Sequence, residues 1–451
     1  MGLPLCGADS GDFDILMSGS VRMVDNSSIG IDMYRLIEEL YPICRSITGD
    51  GLRKTLDIIK KHIPLETHEI PSGTKVFDWV VPKEWNIRCA YIKNSKGEKI
   101  VDFEDSNLHV LNYSTPVRKR VSLDELKQHV FTNEEHPEWI PYRTSYYKEN
   151  WGFCMAHSRY LALEDDDYEV TIDASLEDGS MTLGELVIRG ETNEEILVST
   201  HTCHPSLCND NLSGIALCTF LAKQLSKSQP RFTYRFLFIP GTIGSIAWLA
   251  LNEDKLVNIK TGLVVTLVGD SGGFTYKKTR GGDSELDAAV LHILAHSVDA
   301  YSVREFIPYG YDERQYSSPG INLQVGCLTR TPFGEFPQYH TSADNLEFVK
   351  PRQLGEALTV YQQILHVLES NRTYRNTNPK CEPQLGRRGL YENTGGSNER
   401  QLNQMAILWV LNYSDGKYSL LQIAEKARLP FEDIRFAADM LLKCKLLEEV
   451  A

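Results

Sequence analysis

The densest chemistry in the chain lies between His201 and Asp210, where His201, Cys203, His204, Cys208 and Asp210 fall within ten positions. Imidazole nitrogen, thiolate and carboxylate are the donors that zinc accepts. The run 195–200 is apolar and rich in β-branched residues, so it reads as a buried strand that ends on His201. A helix begins near Ser213. Ligand sites in α/β sheets lie at the carboxyl ends of strands, which is where this cluster falls. The bland alternative is that Asp210 and Asn211 cap the helix while the histidines bond backbone. A second cluster spans 333–345 and sets His340 beside Tyr339, Thr341, Ser342 and Asp344. That suits a ligand with partners that orient it, although alone it is a weak signal.

Such clusters need rigid elements to hold them. Apolar spacing over 29–62 is helical. Over 69–117 the period shifts towards two, and 76–81, 87–92 and 108–111 read as short strands of a small inserted β domain. Six aromatics (Trp139, Tyr142, Tyr146, Tyr147, Trp151, Phe153) fall within fifteen residues, and packing between domains is favoured over a substrate platform. From 168 to 372 strands at 184–188, 195–200, 235–239 and 263–268 alternate with helices at 214–225, 245–256, 285–296 and 351–368. That is an α/β domain with helices on both faces of its sheet. Three short helices at 401–411, 420–426 and 431–444 resemble a winged helix-turn-helix. The expected division is a mobile extension 1–28, an α/β domain from 29–68 and 118–380, an insert 69–117 and a winged-helix module 381–451.

Composition excludes several classes of function. With 42% hydrophobic and 24% charged residues, the 451-residue chain is globular. A formal charge of −14 argues against general affinity for nucleic acid. Residues 385–451 hold nine Lys or Arg and nine Asp or Glu, so the winged helix reads as a docking or lid module and not a DNA reader. No apolar run approaches the ~20 residues a membrane span needs. The first 27 residues lack the basic start and apolar block of a signal peptide. Ten dispersed cysteines without a CxxC pair fit a reduced, cytoplasmic protein. Self-association stays open.

Several strings together carry a resemblance: a strand ending in His201, Asn209-Asp210-Asn211-Leu212-Ser213-Gly214 opening a helix, Asp312-Glu313-Arg314-Gln315-Tyr316, and Tyr339-His340-Thr341-Ser342-Ala343-Asp344-Asn345. Over about 29–451 the chain resembles bacterial proteins that join an aminopeptidase-like domain, related to the zinc aminopeptidases, to an inserted β domain and a C-terminal winged helix. These often occur among surface-polysaccharide or secondary-metabolite biosynthesis proteins. The resemblance implies a mixed sheet with helices on both faces. It implies that Asp210 matches the carboxylate bridging two zinc ions, that His340 matches the late histidine ligand, and that His201 matches the first, with His204 an equal contender. Asp312, Arg314, Tyr339 and Asp344 are expected to bind substrate.

Departures from that pattern bear on chemistry. The aspartate that normally follows two after the first histidine is here Cys203. Zinc aminopeptidases place two adjacent glutamates, a general base and a ligand, where this chain has Gly241 and Thr242. Thr266 stands where another aspartate ligand would align, with Asp270 displaced by four. One zinc held by a histidine, Asp210 and His340 is the economical count, two staying open. Glu313 is the candidate substitute base, against an alternative as a partner of Arg314. The expected function is a zinc-dependent amidohydrolase of aminopeptidase type, acting on a peptide or aminoacylated small molecule. The alternatives are a pseudoenzyme that binds such a ligand after losing its base at Gly241, and a transcriptional regulator.

Overall fold

In the computed structural model, residues 27–390 and 398–450 are described. The expected extension 1–28 lies outside the described residues except for Ser27 and Ser28, which open a helix, Ser27–Leu40. Contacts divide the chain into two units, one of 26–282 with 300–358 and one that includes 283–299 and 359–451.

The first unit is built on an eight-stranded mixed sheet. Its strands in spatial order are Glu66–Pro71, Ser180–Ile188, Thr233–Ile239, Glu195–His201, Ile259–Val265, Val325–Thr329, Phe274–Lys277 and Tyr301–Arg304. The four from Thr233–Ile239 through Val325–Thr329 run parallel. Glu195–His201 lies between two parallel partners and every residue in it is buried. This explains why Ile196, Leu197 and Val198 follow one another without a polar residue between, since a strand covered on both faces has no reason to alternate. Two consequences follow from register. His201 pairs with Ile239, so Gly241 lies two residues beyond its partner. Ser199 pairs with Val264, which brings Thr266 level with His201 on the other side. Parallel pairing thus gathers three loops at one end of the sheet.

A second, four-stranded sheet has the order Lys99–Asp102, Glu84–Lys93, Asp167–Glu177, Val117–Ser122. Its strand 167–177 pairs with Glu84–Lys93 over nearly its whole length. The β insert therefore shares its sheet with residues well past 117. The pattern at 76–81 resolves into a small hairpin, Lys75–Val76 with Trp79–Val80. The expected strand at 108–111 is instead a 3-10 turn, Asn107–His109, capped by Ser106. Serine at that position favours a local cap over an extended ladder.

The second unit holds a three-stranded sheet, Asp415–Ser419, Thr373–Asn376, Leu447–Glu449, with helices Asn398–Tyr413, Leu420–Ala427 and Phe431–Lys443. Strand 373–376 belongs to this sheet, so the module begins before the expected 381. A capping box at Ser419 and Gln422 starts the middle helix, and Arg428 in the left-handed region ends it. Among the described residues no helix is long and apolar enough to cross a membrane.

Candidate metal centre and active site

The site forms where His201 ends its strand. The following turn, Cys208–Ser213, breaks helical geometry at Asp210 and Asn211 before the helix Gly214–Leu225 begins. Neither residue caps that helix. Asn211 instead donates to Thr200 Oγ1 and to the His201 carbonyl, tying the turn back to the strand. The Asp210 carboxylate thereby faces three imidazoles. His201 Nε2 is 2.8 Å from Oδ1, His340 Nε2 is 3.0 Å from Oδ2, and His204 Nε2 is 3.9 Å from Oδ2. His201, His204 and Asp210 each present a donor atom within 4.8 Å of the others. His204 and His340 both adopt positive φ, 86° and 54°. Such conformations are costly for residues with a side chain and persist where the surroundings impose them.

Electrostatics match this geometry. Burial opposes ionisation of Asp210, but the imidazoles of His204, His201 and His340 outweigh it and hold the carboxyl well below its usual range. Burial pushes His204 down to about 3. Burial also pushes the Cys203 thiol up to about 12, and raises Cys208 well above its ordinary value. Neither cysteine joins the donor cluster. Cys203 Sγ instead lies 3.2 Å from His204 Nδ1, so it contacts the back of a candidate ligand. His201, His204 and Asp210 are a donor set that fits zinc, and His340 meets the same carboxylate at 3.0 Å. Among the described residues, His201 Nδ1 and Thr266 Oγ1 are buried without hydrogen-bond partners.

The other expected residues are distributed unevenly. Asp344 is buried, and accepts from the backbone N–H groups of Asn209 (2.6 Å) and Asp210 (2.9 Å). It positions the turn, and is not on the cavity wall. Tyr339 stacks on His340 with ring centres 4.0 Å apart, fixing that ring. Asp312 is buried and bound to Ser245 Oγ at 2.7 Å; burial raises it to about 7. Glu313, the candidate substitute base, is not among the residues of the cavity wall. It is buried in an ion pair with Lys277 and accepts from the Tyr311 N–H, and its partner is not Arg314. Arg314 does line the cavity beside the histidines. Asp270 is held by Asn209, Gly272 and Thr331, away from the donor cluster.

Tyr311 escaped the sequence reading, which takes Tyr142, Tyr146 and Tyr147 chiefly as packing. Tyr142 packs against both His204 and His340, with centroids 5.0 and 5.1 Å away. Tyr142, Tyr146 and Tyr147 line the cavity, so part of the aromatic run 139–153 is a wall of the site as well as packing. Tyr311 is the more consequential. A Cβ at Gly241 would lie 1.8 Å from its Cε1, its hydroxyl bonds the Gly241 carbonyl at 3.1 Å, and its ring lies 4.1 Å from that of His201. The volume beside Gly241 that a side chain would need is filled by Tyr311.

This arrangement was compared with known proteins. The model of a domain of unknown function, DUF4910, matches residues 34–371. The chain belongs to the DUF4910 family. A winged helix-turn-helix model matches 372–449 of this DUF4910 chain, nine residues ahead of the boundary read at 381. A Clostridium acetobutylicum protein, provisionally named a polysaccharide biosynthesis protein with aminopeptidase-like domain, is 58% identical over 430 residues, covering 95% of this chain and 99% of that one. A crystal structure from the same organism, provisionally named a peptidase, is 57% identical with a TM-score of 0.91, covering 94% and 98%. A Bacillus subtilis zinc aminopeptidase shares the fold with a TM-score of 0.56 at 12% identity, covering 75% and 94%.

Proposed function

We propose that this chain is a zinc-dependent, aminopeptidase-like hydrolase that cleaves an amide bond in a peptide or an aminoacylated small molecule. One observation carries the reading: His201, His204 and Asp210 present donor atoms within 4.8 Å of one another at the end of a central parallel strand, and His340 bonds the same Asp210 carboxylate. These residues would hold one zinc ion. Bound there, zinc would polarise the scissile carbonyl and lower the pKa of water. Asp344 fixes the backbone of Asp210, Tyr339 fixes the His340 ring and Cys203 backs His204. No carboxylate lines the cavity to take a proton, and a general base is typically worth about 10²–10⁴-fold. Turnover is accordingly slow. The name of the Clostridium relative supports a biosynthetic setting. The dispersed cysteines support a cytoplasmic one, and the balanced charge of residues 385–451 supports a docking role for the winged helix.

A second reading, a ligand-binding protein without turnover, is favoured by Tyr311 filling the space at Gly241. The two separate in one assay. Zinc-loaded protein is incubated with a panel of aminoacyl and N-acyl amides. The hydrolase reading expects slow release of product that stops on chelation and returns with zinc. Zinc bound with no turnover on any amide leaves the ligand-binding reading.

A further inference from the structure

We infer that the cavity beside the histidines takes an anionic ligand, a carboxylate or phosphate carried on a flat or apolar body. This rests on reading that cavity as the substrate site, and it names the class of substrate. The cavity encloses about 440 Å³. Apart from the imidazoles, its ionisable groups with a fixed charge are Arg143 and Arg314. Both are exposed, and neither guanidinium has a hydrogen bond or ion pair among the described residues. The chain as a whole carries −14, so two unpaired arginines without an acid in one cavity run against its average.

The nearby acids are all committed elsewhere. Asp210 gives its two oxygens to His201 and His340, Asp312 is buried against Ser245, and Glu313 is buried against Lys277. A third guanidinium, Arg45, is fully buried with Nε and Nη2 unpartnered, within electrostatic reach of Tyr142 and Cys203. A free ammonium entering the cavity would lose water and meet no carboxylate among its lining residues, which is costly. A carboxylate or phosphate would meet guanidinium forks whose geometry it matches. Trp79, Tyr146 and Tyr147 supply stacking area beside the arginines, with Trp79 and Tyr147 centroids 5.2 Å apart. The cavity is therefore poorly suited to the cationic amino terminus on which an ordinary aminopeptidase substrate would be held.

Calorimetry on metal-free protein tests this with four probes. L-tyrosinamide, N-acetyl-L-tyrosinamide and N-acetyl-L-tyrosine carry a cation, no charge and an anion on one skeleton, and phenyl phosphate supplies the second anion. The expected result is that one or both anions bind about tenfold or more tightly than the neutral and cationic probes. The tighter anion identifies the source, carboxylate or phosphate. Arg314→Gln or Arg143→Gln should remove most of the preference while leaving circular dichroism unchanged. Equal binding across charges, tighter binding of the cation, no binding of either anion, or insensitivity to both substitutions overturns the inference. Omitting metal separates the two readings. Loss of zinc binding in a parallel titration would sink the hydrolase proposal and leave the anion preference standing.

Discussion

The two halves of the pocket have had different fates. On one side His201, His204, Asp210 and His340 keep a donor set that zinc can use, with Asp344, Tyr339 and Cys203 holding it in place. On the other, the position expected to carry a base is Gly241, and Tyr311 fills the volume beside it. A base is a single side chain, and its loss can be absorbed by local packing. The contrast explains how a site can look intact and deficient at once.

The largest effect should come from reversing the deficient half. Gly241→Glu alone should destabilise the protein by about 1–3 kcal/mol through overpacking against Tyr311. The pair Gly241→Glu with Tyr311→Ser should restore the space and raise turnover about 10²–10⁴-fold. Steady-state kinetics decide this, and no gain in the stable double variant would mean that the chemistry here does not need a base at 241.

A smaller effect is expected from loosening the retained half without touching a donor. Asp344→Ala leaves the Asn209 and Asp210 N–H groups without their partner. Zinc affinity should fall about 10–100-fold by competition with a chelating dye. Asp344→Asn keeps one acceptor and should recover part of it. Unchanged affinity in the alanine variant would remove Asp344 from the support of the site.

The smallest effect lies in the second unit and serves as a control. His292 Nε2 accepts from the Phe431 N–H at 2.9 Å, and burial, with His296 beside it, pushes it down to about 4. The unfolded chain binds the proton more readily, so the stabilisation is full above about pH 6.5 and is lost as pH falls towards 4. Thermal melts should show that loss for the wild type and a flatter profile for His292→Gln, with no change in zinc affinity at neutral pH. A wild-type profile already flat across that window contradicts it.

Much of the retained half was legible in the sequence, because zinc accepts few residue types and parallel strands deliver them at their ends. His201, His204 and Asp210 lie within ten positions, and the helix after them falls at 214–225 as the spacing implied. The deficient half was legible only as an absence. Tyr311 is 70 residues from Gly241, and a tyrosine filling a hole has no pattern of its own. The ion pair of Glu313 was illegible for a similar reason: its partner Lys277 ends a strand 36 residues away. In the fold, the β insert was underestimated because its strand 167–177 returns after a long excursion.

The central claim is that the four donors bind metal. Crystals grown with zinc and measured across its absorption edge test it directly, alongside zinc content of the wild type and Asp210→Asn. The account predicts one anomalous peak per chain, bonded by Asp210 and by histidines drawn from His201, His204 and His340, and loss of the ion in Asp210→Asn. An empty site in zinc-grown crystals, or zinc retained by the variant, would contradict it.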